Sequence, residues 1–140
     1  MALLYLDTNI YLDYWEARSD KMRPLGEFAY SVLRRTVECE FIILISDLVL
    51  TELRNFIEDA EIKEVLSSLK ENNKLVLKKV SDPVVSEAKT QKKRHAEVPL
   101  PDLIHYCFAI RNKVDVLVTR DAHYSVLPQD KIKIRKPEEI

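Results

Sequence analysis

Phe41-Ile42-Ile43-Leu44-Ile45 is the segment from which the architecture can be read. A strand with one face in water alternates apolar and polar side chains. This run has no polar position, so it reads as a central strand of a parallel sheet, buried on both faces. Upstream, Leu3-Leu4-Tyr5-Leu6 reads as a second short buried strand. Asp7-Thr8-Asn9 then starts a helix through about Trp15, with Ile10, Leu12, Tyr14 and Trp15 as its apolar residues. Pro24 suits the first turn of another helix, which places Leu25, Phe28, Ala29, Val32 and Leu33 on one face.

Downstream, Ser46 is a natural N-cap for a helix carrying Val49, Leu53, Phe56 and Ile57. Ile62, Val65, Leu66 and Leu69 are in phase on a further helix, which Asn72-Asn73 breaks. Leu75-Val76-Leu77 is a short strand. Asp82-Pro83 opens a helix with Val84, Val85 and Ala88 facing in and Lys89, Lys92, Lys93 and Arg94 more exposed. Pro99 and Pro101 mark a loop and the next helix start, whose apolar face is Leu103, Ile104, Cys107, Phe108 and Ile110. Residues 114–119 form a strand, and Ile132 and Ile134 suggest a last one. This alternation predicts an α/β sandwich around a mainly parallel sheet, with residues 1–140 as one domain.

The composition narrows the function. Hydrophobic residues make up 46% and charged residues 32%, which is globular and not disordered. A net charge of −1 excludes bulk electrostatic binding of nucleic acid; such a partner would need a local patch. Gly26 is the only glycine, so there is neither a phosphate-cradling P-loop nor a dinucleotide fingerprint. Cys39 and Cys107 read as reduced thiols without a catalytic role. No signal-peptide pattern and no membrane-length apolar run is present, so a cytoplasmic location is expected.

Four acids stand where elements begin or end. Asp7 and Asp121 follow the apolar runs Leu3-Leu4-Tyr5-Leu6 and Val116-Leu117-Val118-Thr119. In open parallel sheets, ligands bind outside the carboxyl ends of strands. Glu52, in Thr51-Glu52-Leu53-Arg54, lies on the helix after a third strand. Asp102 lies in the first turn of its helix, where the dipole favours a carboxylate. Any one of them alone also reads as a helix cap or turn former. Gathered on one rim they would repel one another unless divalent cations neutralised them. That is the donor set of a metal-dependent phosphodiester hydrolase. One Mg²⁺ or Mn²⁺ would activate water and polarise the phosphate, and a second would stabilise the leaving oxygen. His95, His105 and His123 are too widely separated for a zinc pattern.

The segments Leu6-Asp7-Thr8-Asn9, Thr51-Glu52-Leu53, Pro101-Asp102-Leu103-Ile104 and Val118-Thr119-Arg120-Asp121 resemble the PIN-domain ribonucleases, most closely the VapC-like toxins of toxin–antitoxin pairs. In this order and spacing the four are fairly specific, and they span essentially the whole chain. The resemblance implies a three-layer α/β fold and hydrolysis of RNA with Mg²⁺ or Mn²⁺. It also implies a small antitoxin partner covering the acidic rim, and a homodimer, for which Tyr14 and Trp15 on the first helix are candidate contacts. By position, Asp7, Glu52, Asp102 and Asp121 are the acidic metal-binding set. Thr8, Asn9 and Thr119 match polar neighbours that orient acids or waters. The chain departs from many relatives at His123, where they carry a further acid; that puts the affinity for a second metal in question. His123 reads either as a hydrogen-bonding partner of a metal-bound water or as a solvent-facing loop residue.

The basic stretch Lys89, Lys92, Lys93 and Arg94 reads either as a track for RNA phosphates or as a solvated helix face. Tyr11, Tyr14 and Trp15 read as core or subunit contacts before base-stacking platforms. The alternatives are a non-toxin PIN-domain RNA-processing nuclease and an inactive PIN scaffold that binds RNA or protein. A receiver-type phosphoacceptor would want an acidic pair at the first strand end and a lysine after a late strand, where this chain has Asp7 alone and Arg120-Asp121. A haloacid-dehalogenase-type phosphatase would want an acid at Asn9.

Overall fold

A computed structural model describes residues 1–17 and 24–140. In chain order the elements are β1 (Ala2–Leu6), α1 (Thr8–Trp15), α2 (Leu25–Val37), β2 (Phe41–Ser46), α3 (Asp47–Leu53) and α4 (Asp59–Glu71). They continue with β3 (Leu75–Lys78), α5 (Asp82–Arg94), α6 (Leu100–Arg111), β4 (Val116–Val118) and β5 (Lys133–Arg135). Short 3₁₀ turns lie at Ala122–Val126 and Pro137–Glu139.

The five strands form one sheet in the order β3-β2-β1-β4-β5, and every pairing is parallel. β1 is central, and Leu4, Tyr5 and Leu6 are buried on both of its faces. The apolar run of β2 lies between β1 and β3, as its lack of polar positions requires. Parallel strands are joined by right-handed crossovers. The chain steps outward from β1 to β2 to β3, which puts α1 to α4 on one face. It then returns past β1 to β4, which puts α5 and α6 on the other. The contacts agree: α1 packs on α2 and α3, α2 touches α4, and α5 packs along α6. The result is a three-layer α/β/α sandwich. Because the strand order reverses between β1 and β4, a crevice opens at their carboxyl ends.

Glycine scarcity shapes the helix ends. Cys39, Asn73 and Lys113 follow α2, α4 and α6 with φ of 72°, 57° and 56°. In each case the next amide returns to a carbonyl of the last turn: Glu40 to Arg35, Lys74 to Leu69 and Val114 to Ala109. These are left-handed caps built without glycine, and they feed the chain into β2, β3 and β4. Gly26 serves instead for close packing. A Cβ there would lie 2.8 Å from the Asp13 carbonyl oxygen and 2.9 Å from Ala17 Cα.

One expectation fails. α3 ends at Leu53, so Phe56 is not on its apolar face but 65% exposed. The chain must reverse before α4, and residues 54–57 form a turn whose amides return to the carbonyls of Leu50, Glu52 and Leu53. Ser46 does cap α3, its Oγ accepting from the Val49 amide at 3.1 Å. No described helix is long and apolar enough to cross a membrane.

Candidate metal centre

Asp7 leaves β1 at the crevice. Its amide donates to the Val118 carbonyl at 2.9 Å, which fixes it against the end of β4. As N-cap of α1 its Oδ1 accepts from the Thr8 amide at 2.8 Å. Its Oδ2 accepts from Thr119 Oγ1 at 2.8 Å and from Asn9 Nδ2 at 3.4 Å. Burial pushes the carboxyl pKa up, and His105, Thr119 and Thr8 only partly oppose this.

Thr119 joins the two strand ends. While its hydroxyl donates to Asp7, it accepts from the Asp121 amide at 3.0 Å. Asp121 begins the 3₁₀ turn, and its Oδ1 accepts from the His123 amide at 2.9 Å. The His123 ring curls back so that Nδ1 lies 2.8 Å from Asp121 Oδ1 and 3.5 Å from Asp102 Oδ2.

Asp102 reaches the crevice from the first turn of α6. Its Oδ2 is buried and has no hydrogen-bond partner. Burial, followed by the charges of Asp121 and Asp7, raises the Asp102 carboxyl from 3.8 to about 7. One donor atom each from Asp102, Asp121 and His123 can be chosen within 4.8 Å of one another.

Glu52 comes in from the last turn of α3. Its Oε1 accepts from Thr8 Oγ1 at 2.8 Å and lies 2.7 Å from His105 Nε2. Burial acts to raise this carboxyl, but the His105 hydrogen bond and charge and the Thr8 hydroxyl hold it below the ordinary range. His105 is 1% exposed. Burial disfavours its charged form, yet Glu52 and the Asp7 and Asp102 charges outweigh this and raise it. Its Nδ1 is 2.6 Å from Tyr5 Oη, which is 2.8 Å from the α3 cap Ser46 Oγ. When His105 is protonated it donates at both nitrogens, and the chain then runs from Nδ1 to Tyr5 and on to Ser46, with Nε2 on Glu52.

The structure therefore brings all four acids to one crevice, in two linked groups. Asp102 and Asp121 crowd with His123, with the Asp7 charge felt at Asp102, while Glu52 is held by His105 and Thr8. Sequence reasoning missed His105. Its one signal is the three-residue spacing from Asp102, which puts both on one face of α6. Caps and clustered acids also prove compatible readings: Asp7 and Asp121 each cap a helical turn with one oxygen. The donor set fits a hard divalent cation, because it offers carboxylate oxygens including a buried, unpartnered one.

The surroundings divide the remaining candidates. Lys89, Lys93 and Arg94 are exposed. Lys92 Nζ instead donates to the carbonyls of Ala96 at 2.7 Å and Val98 at 2.6 Å, closing the link between α5 and α6. A groove of about 570 Å³ along α5 and α6 is lined by Arg94, His95, Arg111 and Lys131 but by none of the four acids. Tyr11 is fully buried and unavailable for stacking. Arg120, between Thr119 and Asp121, turns away from the crevice. Its Nε is 3.2 Å from Asp13 Oδ2, its Nη1 and Nη2 donate to Glu138 at 3.0 and 2.7 Å, and its guanidinium lies over Phe28.

The PIN domain family model matches residues 4–129. The chain belongs to the PIN domain family. Solved structures share the fold of this PIN domain at low identity. The toxin–antitoxin complex from Klebsiella pneumoniae is 18% identical, with a TM-score of 0.65 and all of both chains covered. VapBC2 from Rickettsia felis, bound to a DNA fragment from its promoter, is 20% identical with a TM-score of 0.63, covering 94% of this chain and 98% of that one. FitAcB from Neisseria gonorrhoeae is 17% identical with a TM-score of 0.59, covering 98% and 99%. No curated protein is a significant sequence match to this PIN domain.

Proposed function

We propose that this PIN domain is a metal-dependent endoribonuclease that hydrolyses RNA with Mg²⁺ or Mn²⁺, and that it is the toxin of a toxin–antitoxin pair. One observation carries the nuclease reading. Carboxylates from β1, α3, α6 and the end of β4 meet at the topological switch point, and one buried oxygen among them, Asp102 Oδ2, lacks a partner. Family membership and the fold shared with toxin–antitoxin complexes support the toxin reading.

Asp102 and Asp121 would hold the cation, with Asp7 and Glu52 completing the anionic wall. When bound, such a cation neutralises phosphate charge and makes water more acidic. The chain's own groups do the positioning. Thr8 and Thr119 fix the Asp7 carboxylate, so it does not reorganise as charge develops on the phosphate. Asn9 Nδ2 donates to Asp7 Oδ2 at 3.4 Å and so supports the same carboxylate. Exposed Lys89, Lys93 and Arg94 would contact RNA phosphates beyond the crevice.

For protein partners, Tyr14, Tyr30, Leu33, Val37, Val65 and Leu69 line an apolar groove of about 370 Å³ on the α1–α2–α4 layer. Tyr30 and Val37 are exposed there, which suits a subunit contact, whereas Trp15 packs against the core. Sedimentation returning a strict monomer would remove the dimer.

The nuclease test is cleavage of RNA with Mn²⁺ or Mg²⁺, stopped by chelator. Asp7→Asn and Asp121→Asn keep shape but lose a charge, and each should slow cleavage by roughly a hundredfold or more. Either variant cutting at the parent's rate, with contaminating nucleases excluded, would refute the site.

A further inference from the structure

We propose that His123 is a nitrogen ligand of the cation held by Asp102 and Asp121, and that it tilts this centre away from Mg²⁺ toward Mn²⁺ and other transition ions. The inference rests on the metal-centre reading above and adds the identity of a ligand and of the preferred ion.

His123 stands where a carboxylate would have extended the acidic set, and its half-exposed ring folds back over Asp121. Its amide bonds to Asp121 Oδ1 at 2.9 Å, which tightens the 3₁₀ turn and brings the ring over the same carboxylate. Nδ1 then faces two carboxylate oxygens, 2.8 Å from Asp121 Oδ1 and 3.5 Å from Asp102 Oδ2. Two ligands at right angles on an octahedral ion, each ~2.1 Å from it, are ~3.0 Å apart; the Asp121 separation is close to this, and the Asp102 oxygen would move in by about 0.5 Å to share the ion. Asp102 Oδ2 supplies the second observation, because it is a buried carboxylate oxygen left without any hydrogen bond beside that nitrogen.

The other histidines do not compete. Both nitrogens of His105 are occupied, one by Glu52 and one by Tyr5. His95 lines the outer groove along α5 and α6. The His123 side chain is 52% exposed, so it exchanges water for a metal without a burial penalty.

Chemistry supplies the selectivity. Mg²⁺ takes oxygen ligands and sheds water reluctantly, whereas imidazole suits transition ions. Replacing oxygen by nitrogen at this one position therefore weakens Mg²⁺ relative to Mn²⁺.

The test uses the full chain loaded with Mn²⁺ alone, without RNA. Electron spin-echo modulation reports whether a ¹⁴N nucleus is bound directly to the ion. The parent should show that modulation, and His123→Ala and His123→Asp should lose it. Calorimetry should show the preference for Mn²⁺ over Mg²⁺ falling by roughly tenfold in His123→Asp, which restores an oxygen ligand. Bound Mn²⁺ without ¹⁴N modulation in the parent, or modulation that survives both substitutions, overturns the His123 assignment and leaves the metal centre standing. A parent that binds no Mn²⁺ refutes the centre itself.

Discussion

At the residue scale, the distinctive feature of this crevice is the buried His105 beneath it. PIN-type acids were visible in the sequence because strand ends and helix starts flag them, and Asp7, Asp102 and Asp121 do meet where that logic puts them. His105 carried no such flag, since a histidine in an apolar helix face gives no pattern of its own. Its role emerges from the Glu52 contact at 2.7 Å and the Tyr5 contact at 2.6 Å. We assign it as a positioning residue that sets the Glu52 carboxylate. Removing one partner of a buried ion pair leaves the other uncompensated. Because Glu52 is 32% exposed and water would partly replace its partner, His105→Ala should destabilise the protein by about 1–3 kcal/mol. His105→Gln, which retains one donor toward Glu52, should recover part of the loss. Chemical denaturation measures both. Equal stability of parent and His105→Ala would show that the pair does not hold Glu52.

At the element scale, the periodicities located the strands and helices, and the failure at Phe56 came from a turn that apolar phase could not reveal. The basic end of α5 illustrates a different limit. Four cations looked equivalent in sequence, but Lys92 is committed to the Ala96 and Val98 carbonyls and so belongs to the α5–α6 link. That link delivers Asp102 to the crevice. Lys92→Ala should cost about 1–2 kcal/mol of stability, because two carbonyls lose a charged donor. Lys89→Ala with Lys93→Ala should leave stability nearly unchanged. It should flatten the dependence of RNA affinity on salt by ~0.7 per lost single-strand phosphate contact. An unchanged salt slope, measured across several ionic strengths, would return Lys89 and Lys93 to a solvated helix face.

At the scale of the whole molecule, the strand order β3-β2-β1-β4-β5 places its reversal beside β1 and thereby concentrates negative charge at one point. Alternation of elements made a mainly parallel sandwich legible. The strand order itself was not, because nothing in a local pattern says on which side of β1 the fourth strand returns. Concentrated charge has a thermodynamic consequence. The folded Asp102 carboxyl titrates near 7, above its ordinary 3.8, and Asp7 shifts in the same direction. The native state then holds protons that the unfolded chain has released. Stability present below about pH 4 is lost as pH rises toward 7, the Asp102 share being at most roughly 4.5 kcal/mol at about 1.4 kcal/mol per pH unit. In chelator, the melting temperature of the parent should fall between these pH values, and Asp102→Asn should flatten the fall. At neutral pH, Mn²⁺ should raise the melting temperature of the parent more than that of the variant. A parent whose stability in chelator is flat across this range would contradict the crowding of Asp102.

Arg120 gives the crevice a mechanical tie to the body of α1 and to the turn at Pro137–Glu139. The backbone between Thr119 and Asp121 is anchored through this one side chain to Asp13 in α1 and to Glu138 near the far end of the chain. Local opening of the Asp121 segment must break those pairs together. Hydrogen exchange should then read similar protection for the amides of residues 119–121 and 136–139, and widely different protection would contradict the tie. The acids can then stay mutually repulsive without the loop that carries Asp121 fraying, because that loop is also held through Arg120 to Asp13 and Glu138.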